Sequence, residues 1–98
     1  MFSYSVIIPA YNEEVLLADT IAEVRRGMVD LLPLSGEMIV VDNNSVDRTP
    51  EIAIASGARV VFEPINQISR ARNAGAREAK GKYLFFVDAD TILSLIHI

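Results

Sequence analysis

Two aspartates one residue apart, Asp88 and Asp90, are the residues of this sequence best suited to chemistry. They directly follow an apolar run at residues 83–87, which predicts a strand buried on both faces of a sheet. In open α/β folds, ligands bind beyond the carboxyl ends of such strands. Two carboxylates this close repel each other unless a cation lies between them, and Mg²⁺ and Mn²⁺ prefer such oxygen ligands. The pair therefore predicts metal-dependent chemistry on a phosphate ester or a nucleotide.

The residues before this pair predict the elements that hold it. Short apolar runs at residues 5–8, 38–41 and 60–62 predict three further strands. The segments between the strands predict three helices, the second of which begins with the hydroxyl of Thr49 as its N-cap. The alternation of strands and helices with short connections indicates one α/β domain, with a parallel sheet of about four strands and three helices.

The carboxyl ends of all strands in a parallel sheet lie on one edge. We therefore expect the segments that follow the first, second and fourth strands to meet in one crevice. The polar residues that these segments contribute are Tyr11, Glu13, Asp42, Asn44, Asp47, Asp88 and Asp90. Taken alone, Asp42 is better explained by an Asx-turn, and Asp47 by the start of a helix. No glycine-rich loop follows the first strand, so a phosphate here must be held through a metal.

Composition limits the kinds of partner that this chain can have. Its 98 residues suffice for one small domain, and a hydrophobic content of 51% suits a sheet covered on both faces. A net charge of −4 argues against binding to nucleic acid or to an anionic membrane. The chain has no cysteine, which excludes disulfides and zinc-thiolate sites. With no signal peptide and no apolar run long enough to cross a bilayer, the expected location is cytoplasmic.

The last six residues, LSLIHI at 93–98, differ in character from the rest of the chain. They match one reading frame of a transposon-end adapter used in preparing sequencing libraries. We therefore expect residues 1–92 to be a truncated nucleotide-binding domain and residues 93–98 to be an adapter-derived tail. The alternative is that the tail is an ordinary apolar strand.

Four motifs occur in order along the chain: VIIPAYNEE at residues 6–14, VVDNNSVDRT at 40–49, ARNAG at 71–75 and FVDAD at 86–90. In sequence and spacing they resemble the successive motifs of family 2 glycosyltransferases with the GT-A fold. The resemblance implies a Rossmann-like nucleotide-binding half of that fold. It also implies metal-dependent transfer of a sugar, with inversion, from a nucleotide-diphosphate sugar to an acceptor that the sequence does not identify.

The same resemblance assigns roles to individual residues. The positions expected to bind the donor are Pro9, Tyr11, Glu13, Asp42, Arg72 and Asp88. Asp88 and Asp90 match the family's DXD motif, in which the first lies near the ribose and the metal and the second binds the Mg²⁺ or Mn²⁺ that bridges the diphosphate. Asn43 and Asn44 stand where many members have Asp-Gly or Asn-Gly. The acceptor-binding half and the general base of the family have no counterpart here, so no catalytic residue is assigned. For the full-length protein, a location at the inner face of the membrane stays open.

Three other interpretations stay open. A phosphohydrolase of the haloacid dehalogenase type also has an apolar strand followed by Asp-x-Asp and a threonine, although that motif normally opens the domain. A receiver-like or nucleotide-binding regulatory module would need an aspartate after the third strand, where this chain has Glu63. The chain could also be an inactive piece of an enzyme, because its sheet would lack a partner at one edge.

Overall fold

Four strands and three helices alternate along residues 1–89, the part of the chain that the computed structural model describes. In chain order the elements are β1 (Tyr4–Ala10), α1 (Leu17–Asp30), β2 (Gly36–Asp42), α2 (Thr49–Ala55), β3 (Arg59–Phe62), α3 (Ile68–Glu78) and β4 (Tyr83–Phe86). The strands form one parallel sheet in the order β3-β2-β1-β4. The predicted α/β class, with four parallel strands and three helices, is confirmed. No helix in this part of the chain is both long enough and apolar enough to cross a bilayer.

The two central strands are buried on both faces because helices cover both sides of the sheet. On one face, Val6 and Ile8 of β1 pack with Leu17 of α1. On the other face, Ile7 packs with Ala71 of α3. Successive side chains of a strand point to opposite faces, so a continuous apolar run is what such a two-sided position requires.

Helix α3 packs against the sheet with the backbone of Gly75 at the contact. A Cβ atom at position 75 would lie 2.5 Å from Cγ2 of Ile7 and 3.0 Å from Cγ2 of Val41. Real Cβ atoms do not approach a neighbour within 3.0 Å, so any larger residue would push the helix outward. The glycine therefore sets the height of α3 above the sheet, and with it the position of Arg72, which the same helix carries.

Strand β4 forms at the predicted place, but the prediction that it is buried on both faces is wrong. Its four residues, Tyr83 to Phe86, are between 40% and 62% exposed. Within the described residues β4 pairs only with β1, so it is an edge strand. The ring of Phe85 makes an edge-to-face contact with Tyr4, at 6.0 Å between centroids. An apolar run shows that a strand is suited to burial, whereas neighbouring elements decide whether it is covered.

A set of hydrogen bonds at the amino end of the sheet fixes the start of β4. The Ser5 hydroxyl donates to Oε2 of Glu37 at 2.6 Å, and the backbone amide of Lys80 donates to the same oxygen at 2.5 Å. The amide of Gly81 donates to the Ser5 hydroxyl at 2.8 Å. These bonds join β1, β2 and the segment that leads into β4, so they hold the edge strand in register.

Candidate functional site

A cavity of about 300 Å³ lies at the carboxyl edge of the sheet, where β1, β2 and β4 end. Its volume is at the lower end of the range of about 300–1,000 Å³ that ligand pockets occupy. Its lining residues are Pro9, Ala10, Tyr11, Glu13, Asn43, Ile68, Asp88 and Ala89. The segments that follow three different strands therefore meet here, as the parallel sheet predicts, and the first residue of α3 completes the wall.

The structure places the predicted donor-binding residues in three groups. Of these, Pro9, Tyr11, Glu13 and Asp88 line the cavity. Arg72 does not line it but contacts one of the lining residues. Asp42 is the last residue of β2, is buried and does not line the cavity. Asp90, the predicted metal ligand, lies outside the described residues.

Asp42 has the local role that the simpler interpretation gave it. Its Oδ1 accepts a hydrogen bond from the amide of Ser45 at 3.1 Å, which is a side-chain-stabilised turn. The residue is 5% exposed, and its neighbour Asn43 faces the cavity. The turn therefore begins directly behind the cavity wall and orients the loop that follows β2.

Arg72 and Asp88 bring opposite charges to one side of the cavity. Their atoms Nη2 and Oδ1 are 3.8 Å apart, and the side chains are 47% and 68% exposed. An exposed ion pair of this kind contributes less than about 1 kcal/mol to stability. Its chemical value lies in the groups it presents, because a guanidinium recognises phosphate oxygens and a carboxylate is a hard metal ligand.

The residues at this site fit a metal that is held partly by a substrate. No group of three His, Cys, Asp or Glu side chains able to hold a metal occurs within residues 1–89. Mg²⁺ sites commonly use one or two carboxylates, with substrate phosphates and water completing the coordination. Asp88 supplies one such carboxylate at the cavity edge, so its chemistry suits a cation that arrives with a diphosphate.

The loop after β1 and the loop after β2 are connected by reciprocal hydrogen bonds. The amide of Asn12 donates to the Ser45 hydroxyl at 3.0 Å, and the Val46 amide donates to Oδ1 of Asn12 at 2.9 Å. Asn12 has a φ of 51° and Asn44 a φ of 62°, both in the left-handed region that asparagine tolerates better than most residues. The two loops therefore turn together and present Tyr11 and Glu13 to the cavity.

Asp47 and Thr49 strengthen this connection at the start of α2. The Thr49 hydroxyl accepts from the amide of Glu13 at 2.8 Å and donates to Oδ1 of Asp47 at 2.5 Å. Asp47 also accepts from the amides of Thr49, at 2.9 Å, and Glu14, at 3.2 Å. The predicted N-cap role of Thr49 is wrong, because Thr49 is the first helical residue and its hydroxyl binds the β1 loop instead. The carboxylate of Asp47 satisfies the Thr49 amide.

The environment of Asp47 favours its ionised form. Removal of its carboxylate from water would by itself raise the pKa. Hydrogen bonds from the hydroxyl and amide of Thr49 and from the amide of Glu14 outweigh that effect, so the pKa lies below its usual range. Asp47 is therefore ionised at neutral pH and accepts from both loops.

Sequence reasoning missed three residues that shape the cavity. Asn12 and Asn43 each extend a polar side chain from a strand-end segment to a neighbouring loop, and Ile68 lines the cavity from the first turn of α3. For the asparagines the available signal was their position beside Tyr11 and Asp42, directly after predicted strands. Nothing in the sequence singled out Ile68, because its place depends on how α3 packs.

A larger hollow of about 410 Å³ lies at the opposite end of the sheet. It is lined mainly by apolar side chains, among them Phe2, Tyr4, Leu34 and Phe85. Binding sites combine apolar walls with a few convergent polar groups. The smaller cavity at the carboxyl edge has those groups, which identifies it as the candidate site.

Three comparisons with known proteins agree with this geometry. A model of the glycosyl transferase family 2 matches residues 5–95. The chain is 33% identical, over 95 residues, to the uncharacterized glycosyltransferase EpsJ of Bacillus subtilis strain 168. This alignment covers 92% of this chain and 26% of EpsJ. It is 34% identical, over 93 residues, to dolichol-phosphate mannosyltransferase of Saccharomyces cerevisiae, covering 89% of this chain and 35% of that protein.

A solved structure extends the likeness to the fold. Glucosyl-3-phosphoglycerate synthase from Mycobacterium tuberculosis, in complex with Mn²⁺, UDP and glucosyl-3-phosphoglycerate, matches with a TM-score of 0.74 and 31% identity. The match covers 90% of this chain and 33% of that one. The chain thus spans about a third or less of the length of these relatives.

Proposed function

Because this chain belongs to glycosyl transferase family 2 and has the GT-A type of α/β fold, we propose that it is the donor-binding part of a glycosyltransferase. The observation that carries the proposal is the meeting of Tyr11, Glu13 and Asp88 at one cavity, with Arg72 paired to Asp88. The donor is a nucleoside-diphosphate sugar. Membership of this family argues against the phosphohydrolase and regulatory-module interpretations.

The cavity wall formed by β1 and its loop suits a base and a ribose. Tyr11 lines the cavity and is 49% exposed as a residue, so its ring can offer an aromatic face for stacking. Glu13 offers a carboxylate that can accept hydrogen bonds from base or ribose groups. Pro9 supplies an apolar surface, and Asp42 orients the adjoining turn.

The opposite side of the cavity suits the diphosphate. We propose that Asp88 and Asp90 bind a divalent cation, Mg²⁺ or Mn²⁺, and that Arg72 binds the phosphate oxygens. When bound, the cation stabilises the charge that develops on the departing diphosphate. Arg72 adds donors that a phosphate accepts, and its pairing with Asp88 holds both charges beside the same cavity. The Mn²⁺ and UDP bound to the glucosyl-3-phosphoglycerate synthase make UDP and Mn²⁺ the appropriate probes.

The remaining parts of the reaction belong to the whole protein and stay within the proposal. Transfer inverts the anomeric centre, and a general base outside this chain deprotonates the hydroxyl of an acceptor that is a sugar, a lipid or a polysaccharide. The isolated chain binds the donor and transfers nothing. The partition into a truncated domain at residues 1–92 and an adapter-derived tail at 93–98 also remains a prediction, and that tail lies outside the described residues. The same holds for the cytoplasmic or inner-membrane location and for the absence of a nucleic-acid partner.

Calorimetry with UDP tests the proposal. We expect the chain to bind UDP weakly with Mn²⁺ and more weakly without it. Asp88→Asn removes one charged metal ligand and should weaken UDP binding in Mn²⁺ by at least about tenfold, or about 1.4 kcal/mol. Asp90→Ala should have a similar effect.

The matched control is Asp30→Asn, which removes the same charge at the exposed end of α1. It should leave UDP affinity unchanged. Equal affinity with and without Mn²⁺, or an unaltered affinity in both the Asp88 and Asp90 variants, would contradict the metal assignment. If UDP, GDP and other nucleoside diphosphates all fail to bind, the donor site itself is refuted.

A further inference from the structure

Asn43 connects the loop after β2 to the loop after β3 through its side chain. The residue is 6% exposed, and its Nδ2 donates to the carbonyl oxygens of Glu63 at 3.1 Å and Ile65 at 2.6 Å. In return, the side-chain amide of Asn66 donates to the carbonyl oxygen of Asn43. Both acceptors of Nδ2 are carbonyls, so in this chain the carboxamide of Asn43 supplies two hydrogen bonds that an ionised aspartate could not donate.

This connection sets where α3 begins. The carbonyl of Ile65 also accepts from the Gln67 amide at 2.8 Å, and the Gln67 carbonyl accepts from the amide of Ala71 in the first turn of α3. That turn carries Ile68 into the cavity wall and leads to Arg72, which pairs with Asp88. A series of hydrogen bonds therefore connects the end of β2 to helix α3, which carries Arg72 beside the cavity.

Asn43 also takes part in the other wall of the cavity. Its own amide donates to the carbonyl of Ala10 at 2.8 Å, and both residues line the cavity. Asn43 thus contacts the last residue of β1 through its backbone and the segment after β3 through its side chain. Within residues 1–89, Asn43 therefore connects the cavity wall formed by the end of β1 to the wall formed by the start of α3.

We propose that the carboxamide of Asn43 is a positioning residue for the nucleotide pocket. This inference rests on the proposed function and adds a residue to which the sequence motifs gave no role. An aspartate at this position loses both donors and places a negative charge against two carbonyls. The same loop holds the buried carboxylate of Glu63, whose Oε2 already accepts from the Ile65 amide at 3.0 Å, so a second buried charge is unfavourable there. The loop after β3 is then released, and Ile68 and Arg72 lose their fixed place beside the cavity.

The test compares UDP affinity in saturating Mn²⁺ between the unsubstituted chain and two variants, Asn43→Asp and Asn43→Ala. The alanine variant removes the donors without burying a charge, so it serves if the aspartate variant does not fold. We expect UDP binding to weaken by about tenfold or more in Asn43→Asp and by several-fold in Asn43→Ala. Affinities are expressed per folded molecule, with the folded fraction measured by urea unfolding.

A control variant separates positioning from general stability. Ser5→Ala removes partly buried hydrogen bonds at the opposite end of the sheet and therefore lowers stability without touching the cavity. It should keep the unsubstituted affinity within about twofold. The effect of the added charge is judged by comparing Asn43→Asp with Asn43→Ala, which loses the same donors and stays neutral.

A different set of results would overturn the inference. If both Asn43 variants bind UDP like the unsubstituted chain, or lose affinity only in proportion to their folded fraction, Asn43 has no positioning role. Failure of both variants to fold would make the residue purely structural and would also overturn it. If the unsubstituted chain binds no nucleotide, the proposed function fails first, and the positioning role is judged by amide hydrogen exchange. Faster exchange at Ile65 and Gln67 in Asn43→Ala than in Ser5→Ala would support it, and equal exchange would reject it.

Discussion

Asp47 gives the sharpest prediction about the stability of the site. Its carboxylate accepts hydrogen bonds from the hydroxyl and amide of Thr49 and from the amide of Glu14. In Asp47→Ala all three donors lose their acceptor. Water replaces the carboxylate at the exposed Glu14 amide, whereas the two Thr49 donors are partly buried and cost about 1 kcal/mol each. We therefore expect the free energy of unfolding to fall by about 2 kcal/mol.

Urea unfolding followed by circular dichroism measures this change. With a slope of about 1 to 1.5 kcal/mol per molar urea for a chain of this size, the midpoint should fall by about 1 to 2 M. The control is Asp30→Ala, which removes an exposed carboxylate at the end of α1. A negative charge is unfavourable at that end of a helix, so its midpoint should stay the same or rise slightly.

The pH dependence of the same comparison tests the electrostatic part of the reasoning. The pKa of Asp47 is lowered in the folded chain, so its ionised form contributes stability above the unfolded pKa of about 3.9. That contribution is lost as the pH falls through the folded pKa. The deficit of Asp47→Ala should therefore be constant from about pH 5 to 8 and shrink below about pH 4. Coincident midpoints for the Asp47 and Asp30 variants at pH 7, or a deficit that persists in acid, would refute the argument.

Three further variants test other parts of the structure. Gly75→Ala places a methyl group 2.5 Å from Ile7 and should destabilise the fold by about 1–3 kcal/mol in urea unfolding, while Gly27→Ala, which meets no neighbour within 4 Å, should not destabilise it. Glu37→Gln weakens the hydrogen bonds at the amino end of the sheet and should lower the free energy of unfolding by about 1 kcal/mol. UDP affinity should not change, and a reduced affinity would contradict the view that these bonds act independently of the cavity at the carboxyl edge. Arg72→Ala should change the free energy of unfolding by less than about 1 kcal/mol because its ion pair is exposed, and yet weaken UDP binding by several-fold; the reverse pattern would assign Arg72 to stability instead.

The sequence was sufficient to predict the order of the elements and the edge at which the site lies. Alternating apolar runs and helical segments require a parallel sheet, and a parallel sheet brings the residues after β1, β2 and β4 together. The cavity lined by Tyr11, Glu13 and Asp88 confirms that these segments converge. Burial was predicted less well, because β4 has the composition of a central strand and the position of an edge strand.

The details of the loops could not be predicted from local patterns. Thr49 precedes a proline and has the composition of an N-cap, yet its hydroxyl accepts from the amide of Glu13, which is 36 residues away. The family resemblance implied no role for the side chain of Asn43, although that side chain joins two loops. Such contacts depend on where separate loops meet after the sheet has formed. No periodicity or capping rule encodes that meeting.

The exposed β4 has a practical consequence for any work with this chain in solution. Its outer edge carries backbone amides and carbonyls that have no partner strand among residues 1–89, and its four large apolar side chains, which alternate between the two faces, are exposed. An apolar edge of this kind is a template on which a second molecule can extend the sheet. We expect self-association to increase with protein concentration, so titrations need dilute samples and a check of particle size before any heat is interpreted. A lysine in place of Leu84 would be the simplest way to suppress it, since a charge on an edge strand opposes such pairing.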